Sequence, residues 1–199
     1  DGLPNNIIQA LAQTQDGYLW VGTREGLVRF DGIKFQKIRL AAGHAAPSIS
    51  SLYQSRDGTL WIGTDSMGLF RISSGQIVRC PNPNGSLDFD VREIHESGDS
   101  NIWITSSGEV FEWADGRLKK RAKLKRVLQG LCVGPRGGIW TAEGELMRLD
   151  QNISKNSGPK PNRLGFTARC LYCDPAGTVW MSDGNNLVRV SSNKIENYR

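Results

Sequence analysis

The chain has 199 residues, 38% of them apolar and 23% charged, and a formal net charge of +5, which is enough material for a globular body with its own core. No run approaches the 18 or more consecutive apolar residues of a membrane span, and no basic start followed by an apolar stretch reads as a signal peptide. The chain opens on Asp1 instead of Met, so the expectation is a piece cleaved or cut from a longer polypeptide.

The predicted elements begin with a unit over residues 7–38. Ile8 and Leu11 lie twelve and nine residues before Trp20 on a first strand. Asp16-Gly17 follows as a hairpin signal. Leu19-Trp20-Val21 then reads as a second strand that is apolar on both faces, which suits a sheet covered on both sides. The small residue Gly22 leaves a gap for a neighbour's bulk. A third strand, Leu27 to Phe30, reads apolar, apolar, charged, apolar around Arg29, and Asp31-Gly32 turns into a short fourth strand near Phe35.

The pattern returns four times. Residues 48–79 carry Ile49, Leu52, Asp57-Gly58, Leu60-Trp61-Ile62, Gly63, a third strand around Arg71, Ser74-Gly75 and a fourth strand near Ile77. Residues 90–120 carry Val91, Ile94, Asp99-Ser100, Trp103 between Ile102 and Ile104, Thr105, and a third strand on which Glu112 holds the charged position. Asp115-Gly116 and Leu118 close that unit. Residues 127–154 carry Leu128, Leu131, Arg136-Gly137, Trp140, Ala142, a third strand around Arg148, and Ile153. Residues 167–198 carry Ala168, Leu171, Ala176-Gly177, Val179-Trp180-Met181, Ser182, a third strand around Arg189, and Ile195.

Trp20, Trp61, Trp103, Trp140 and Trp180 are spaced by 41, 42, 37 and 40 residues. A period near 40 is that of four-stranded propeller blades. The expected fold is an all-β propeller of five four-stranded blades in one domain over residues 1–199, either a closed five-bladed ring or part of a larger, seven-bladed one. Trp113, out of register, falls on a third strand. The positions twelve and nine before each tryptophan have opposite parity, which implies a bulge or a doubly buried first strand.

Eleven residues before the tryptophans stand Gln9, Ser50, Arg92, Gln129 and Arg169, all polar. Gln9, Arg92, Gln129 and Arg169 are the candidate ligand contacts, Arg92 and Arg169 first among them because guanidinium groups grip carboxylates and sulfates in two places. A hydrated wall without a specific ligand is the alternative. The arginines of the third strands, with Glu112 interrupting their series, read as outward groups paired with neighbouring carboxylates. The seven bases between Arg117 and Arg126 read as a solvated edge strand and not as a nucleic-acid patch, since no aromatics interleave with them.

Of the four cysteines, Cys170 and Cys173 have the spacing of a metal or redox pair but no second pair and no helix start, so buried strand thiols are expected. A bond between them is excluded on an extended strand, and pairing with Cys132 on the adjacent blade stays open. The histidines, His44 and His95, have no nucleophile or metal-ligand motif beside them. No turnover, cofactor or metal is expected.

The segments Gly2-Leu3-Pro4-Asn5-Asn6, Asp16-Gly17-Tyr18-Leu19-Trp20-Val21-Gly22-Thr23 and Gly26-Leu27-Val28-Arg29-Phe30-Asp31-Gly32 resemble the two-component regulator propeller repeat. So do Asp57-Gly58-Thr59-Leu60-Trp61-Ile62-Gly63-Thr64 and Gly68-Leu69-Phe70-Arg71 in the second unit. The later units lack the Gly-Thr after the tryptophan. The resemblance implies a non-catalytic extracytoplasmic sensor region, periplasmic or extracellular, ahead of a membrane span and a histidine kinase or diguanylate cyclase. The implied partner is a small molecule such as a sugar or acidic glycan, or a protein. Homodimerisation is left open. A secreted lectin-like propeller and a propeller glycan hydrolase or lyase are the competing readings.

Overall fold

A computed structural model describes residues 2–123, 130–134, 139–142, 146–149, 170–182, 185–191 and 194–198. Every regular element among them is a strand. The first sheet is β1 (Ile8–Gln13), β2 (Leu19–Thr23), β3 (Gly26–Phe30) and β4 (Phe35–Ile38); the second is β5 (Ile49–Gln54), β6 (Leu60–Thr64), β7 (Leu69–Ser73) and β8 (Gln76–Cys80). The third is β9 (Glu93–Glu96), β10 (Ile102–Ser106), β11 (Glu109–Ala114) and β12 (Arg117–Lys123). A three-stranded sheet follows, β13 (Leu131–Val133), β14 (Ile139–Ala142) and β15 (Leu146–Leu149). The last is β16 (Cys170–Cys173), β17 (Val179–Ser182), β18 (Leu187–Ser191) and β19 (Lys194–Tyr198). In each sheet the strands pair in sequence order. The expected Leu128, Arg136-Gly137, Ile153 and Ala168, and the bases Lys125 and Arg126, lie outside the described residues. The chain divides into two compact units, residues 1–94 with 113–119 and residues 95–112 with 120–199.

All five aligned tryptophans sit on second strands and Trp113 on a third, as their spacing predicts. Trp20, Trp61 and Trp103 are buried; Trp140 and Trp180 are half-buried. The expected double burial of the second strand is met in β6 and β10, every residue of which is buried.

In the first unit, Trp20, Leu27, Leu40, Ile49, Leu60, Ile62 and Phe70 form one core. Its closest approach is at Gly22, where an added Cβ would stand 2.5 Å from Ile49 Cγ2 and 2.8 Å from Ile49 Cβ. Gly63 repeats this against Val91, with Cγ1 at 2.6 Å. Both glycines therefore make room for the β-branched residue that begins the next repeat. The bulge inferred from parity is present: the register of β1 on β2 shifts between Ile8 and Ala10, and that of β5 on β6 between Ile49 and Ser51. Gln9 and Ser50 are thus the extra residues.

Equivalent positions differ in exposure. Leu27 is 1% exposed, whereas Leu187 at the same place on β18 is 46% exposed, with Tyr172 on the same face at 60%. Ile8 and Leu11, expected as core residues, are instead exposed, because no sheet of the first unit lies over that side of β1.

One repeated device was not read from the sequence. Six residues before the tryptophan, Thr14 Oγ1 accepts from Trp20 Nε1 at 3.0 Å and Ser55 Oγ from Trp61 Nε1 at 3.1 Å. Each hydroxyl in turn donates to the turn aspartate, Thr14 to Asp16 at 2.5 Å and Ser55 to Asp57 at 2.6 Å. In the fifth sheet Asp174 does both jobs, accepting from Trp180 Nε1 at 3.1 Å. Ser97 donates to Asp99 in the third repeat, where Trp103 Nε1 has no partner among the described residues.

The third-strand charges pair mostly within their own sheets. Arg29 donates to Gln36 at 2.7 Å and lies over the Tyr18 ring at 4.1 Å, and Arg189 pairs with Glu196 at 3.0 Å. In the third sheet the signs are exchanged, with Arg121 on the fourth strand donating to Glu112 at 2.6 Å. Arg71 instead lies over Trp113 at 5.4 Å, its Nε unpaired. The basic segment is an edge strand over Arg117–Lys123, as expected, with Lys119 on Asp115 and Lys120 on Glu109.

The cysteine expectation needs correction. Cys173 is not a thiol: it is bonded to Cys132, with Cα atoms 5.6 Å apart, joining β13 to β16. The two cysteines lie 41 residues apart, one repeat, so they occupy facing first strands of consecutive sheets. Cys80 is free and fully buried, and burial pushes its thiol up to about 11.

Candidate functional site

The chain crosses from the fourth strand of one sheet to the first strand of the next at one rim of the first unit. The same rim carries the turns between second and third strands, so bulges, crossovers and turns converge there. Each crossover packs on the glycine that closes the turn into the third strand. Gly26, at φ +122, would bring a Cβ to 3.1 Å from Ala46 Cβ; Gly68, at φ +73, would bring one to 2.7 Å from the Phe89 ring and accordingly donates its N–H to Phe89 O at 2.8 Å. Only glycine meets both the positive φ and the close approach at these two places.

Arg79 secures the second crossover: its Nε donates to Met67 O at 2.8 Å and its terminal nitrogen to Asp88 at 2.5 Å. In the first crossover, Ser48 Oγ is 2.7 Å from Gln9 Oε1 and 2.6 Å from Asp65 Oδ2. The bulge thereby aims the Gln9 amide at the crossover. Ser50, at the equivalent bulge, donates instead to Val91 O at 2.5 Å, so its role is to tie the second sheet to the chain entering the third.

Of the predicted contacts, Gln9 and Arg92 are both exposed on this rim. Arg92 Nε reaches Asp90 Oδ2 at 3.1 Å, and both terminal guanidinium nitrogens are without partners among the described residues. The Arg92 side chain is 62% exposed. Gln129 and Arg169 lie outside the described residues. Ser48 and Asp65, missed in the sequence, join Gln9; nothing in a Pro-Ser crossover or an exposed Asp marks them before the bulge is known. His44 lies exposed in the first crossover with Nδ1 3.0 Å from Ala42 O, and His95 lies on β9. Among the described residues no three His, Cys, Asp or Glu side chains gather as metal ligands.

Successive antiparallel sheets of four strands paired in sequence order, with Gly22 and Gly63 making room for the first residue of the next repeat, define a β-propeller. Residues 2–25 and 44–66 match the family described as Two component regulator propeller. Comparison with curated protein sequences returns no match. Among solved structures, the virginiamycin B lyase of Staphylococcus aureus is similar over 100% of this chain and 72% of its own, at 16% identity and a TM-score of 0.76. The extracellular domain of the hybrid two component system BT3049 of B. thetaiotaomicron is similar over 98% of this chain and 30% of its own, at 20% identity and a TM-score of 0.71. The extracellular domain of the hybrid two component system BT4673 from the same organism is similar over 97% of this chain and 31% of its own, at 16% identity and a TM-score of 0.74. The chain thus spans under a third of the length of these extracellular domains. Such likeness establishes the fold.

Proposed function

We propose that this chain is an extracytoplasmic sensing or interaction module of a bacterial two-component or cyclic-di-GMP signalling receptor, without turnover of its own. The observation that carries the reading is the pair of two-component regulator propeller repeats at residues 2–25 and 44–66. The likeness to extracellular domains of two component systems supports it, and so does the Cys132–Cys173 bridge, since disulfides persist in oxidising compartments. In the whole receptor a membrane span and a kinase or cyclase would follow. The ligand, a sugar or acidic glycan, docks on the bulge-bearing rim of the first unit with Gln9 and Arg92 as its contacts there; Gln129 and Arg169 are the candidates at the equivalent sequence positions. Arg92 suits an anionic group because its forked end is unspent.

The test is a thermal-shift screen of the chain against sugars, sugar acids and sulfated sugars. Replacing Arg92 and Arg169 together by Ala should abolish ligand-induced stabilisation. The unliganded melting temperature should barely move, because an exposed pair such as Arg92–Asp90 contributes only about 0–1 kcal/mol. Stabilisation that survives the double change moves the site away from these arginines. Because a lyase shares the fold, the same preparation is incubated with a streptogramin and with any glycan that binds; multiple turnover of either overturns the non-catalytic reading.

A further inference from the structure

We propose that the first unit holds a second binding site, for a free α-amino acid with an apolar side chain, in the cavity between the β3–β4 edge and the first crossover. The cavity has a volume of about 320 Å³, the scale of a pocket for a small molecule. Leu27, Leu40 and Pro47 give it an apolar wall, and Glu25, Lys37 and Arg39 line it with charge. Glu25 stands in the turn before β3; Lys37 lies on β4 and Arg39 just beyond it.

The charges decide the ligand class. Arg79 and Arg92, elsewhere in the unit, each have a carboxylate partner. Glu25, Lys37 and Arg39 line one cavity, yet their side chains have no hydrogen-bond or ion-pair partner among the described residues. A zwitterion satisfies all three, its carboxylate toward Lys37 and Arg39 and its ammonium toward Glu25, while its side chain covers the apolar wall. A simple carboxylate leaves Glu25 facing an anion. An amine leaves both cations unmatched, and a polyol makes no use of Leu27 and Leu40. His44 lines the same cavity, but its ring Nδ1 is engaged with Ala42 O in the loop. The site shares no residue with Gln9 or Arg92, so the two proposals fail or stand separately.

Isothermal titration calorimetry of the chain with L-leucine and L-phenylalanine tests it, with leucinamide and 4-methylpentanoate as controls lacking the carboxylate and the amine. The expected result is binding of the amino acids, with each control weaker by about tenfold or more, the usual scale of one charge-assisted contact. Glu25→Gln should weaken leucine about tenfold and bind 4-methylpentanoate as well as the parent or better, since the charge facing its carboxylate is gone. The Lys37→Gln, Arg39→Gln pair should weaken both. These side chains are exposed, so the unliganded melting temperature should stay within about a degree, which certifies folding. No heat from either amino acid, equal binding of 4-methylpentanoate, or indifference to both variants overturns the proposal.

Discussion

Replacing Gly22 by Ala tests whether the sheets are held in register by a missing side chain. A Cβ there would stand 2.5 Å from Ile49 Cγ2 and 2.8 Å from Ile49 Cβ, and Ile49 is wholly buried. Inserting a methyl group into a filled core costs about 1–3 kcal/mol. Ala gains about 0.5–1 kcal/mol over Gly within a strand, so the net loss, taken between the middles of the two ranges, is about 1 kcal/mol. For a chain of this size that lowers the melting temperature by about 2–4 °C. Ile49→Ala removes the clashing methyl but empties a core position, for about 2–5 kcal/mol alone. The double variant should therefore be less destabilised than the two losses added, by about 0.5 kcal/mol or more. Urea unfolding followed by tryptophan fluorescence reads all three, since Trp20 belongs to the same core. A Gly22→Ala protein as stable as the parent, or strict additivity in the double variant, would refute the reasoning.

Ser55→Ala should cost about 1–3 kcal/mol, because it strands the buried Trp61 indole N–H and takes a donor from Asp57; an unchanged urea midpoint would contradict this. Asp57 is held below the ordinary carboxylate range by the Ser55 hydroxyl and then the Thr59 N–H, and Asp174 by the Trp180 indole and then the Thr178 N–H. Depressed carboxylates stabilise the fold fully above their unfolded value of about 3.9 and lose that contribution as pH falls through the folded value. Urea midpoints should hold steady from pH 7 to about 5 and fall below about 4, less steeply in Asp57→Asn. Reducing the Cys132–Cys173 bridge should cost about 3–4 kcal/mol on the loop-entropy account. Thiol titration of the unreduced, denatured chain should count two groups, and four would show the bridge absent.

The tryptophan spacing and the small residue after it disclosed the fold because both express one constraint, a sheet buried on two faces with a gap for its neighbour. The acceptor six residues before the tryptophan escaped notice because Thr14, Ser55 and Asp174 are three different residue types that share only an oxygen able to accept from an indole. Cys173 reads as a buried thiol in the sequence because spacing leaves its pairing with Cys132, one repeat back, open. Spacing along the chain shows the parity of a side chain but not which sheet stands opposite it.

The candidate contacts eleven residues before the tryptophan show why a site is harder to read than a fold. The sequence placed Gln9, Ser50 and Arg92 at one level, and the bulges at Gln9 and Ser50 explain why polar residues are tolerated there, since a bulged residue leaves the ladder. The three nevertheless do different work. The Ser50 hydroxyl is taken up by the Val91 carbonyl, the Gln9 amide oxygen alone by the Ser48 hydroxyl, and Arg92 keeps the forked end of its guanidinium open. A position can thus be equivalent in the backbone and differ in whether its hydrogen-bonding capacity is already spent. That difference depends on what the crossover brings within 3 Å, and crossovers are where the repeats diverge. Arg92 therefore has the strongest claim among the described contacts, on its unspent donors and not on its place in the repeat.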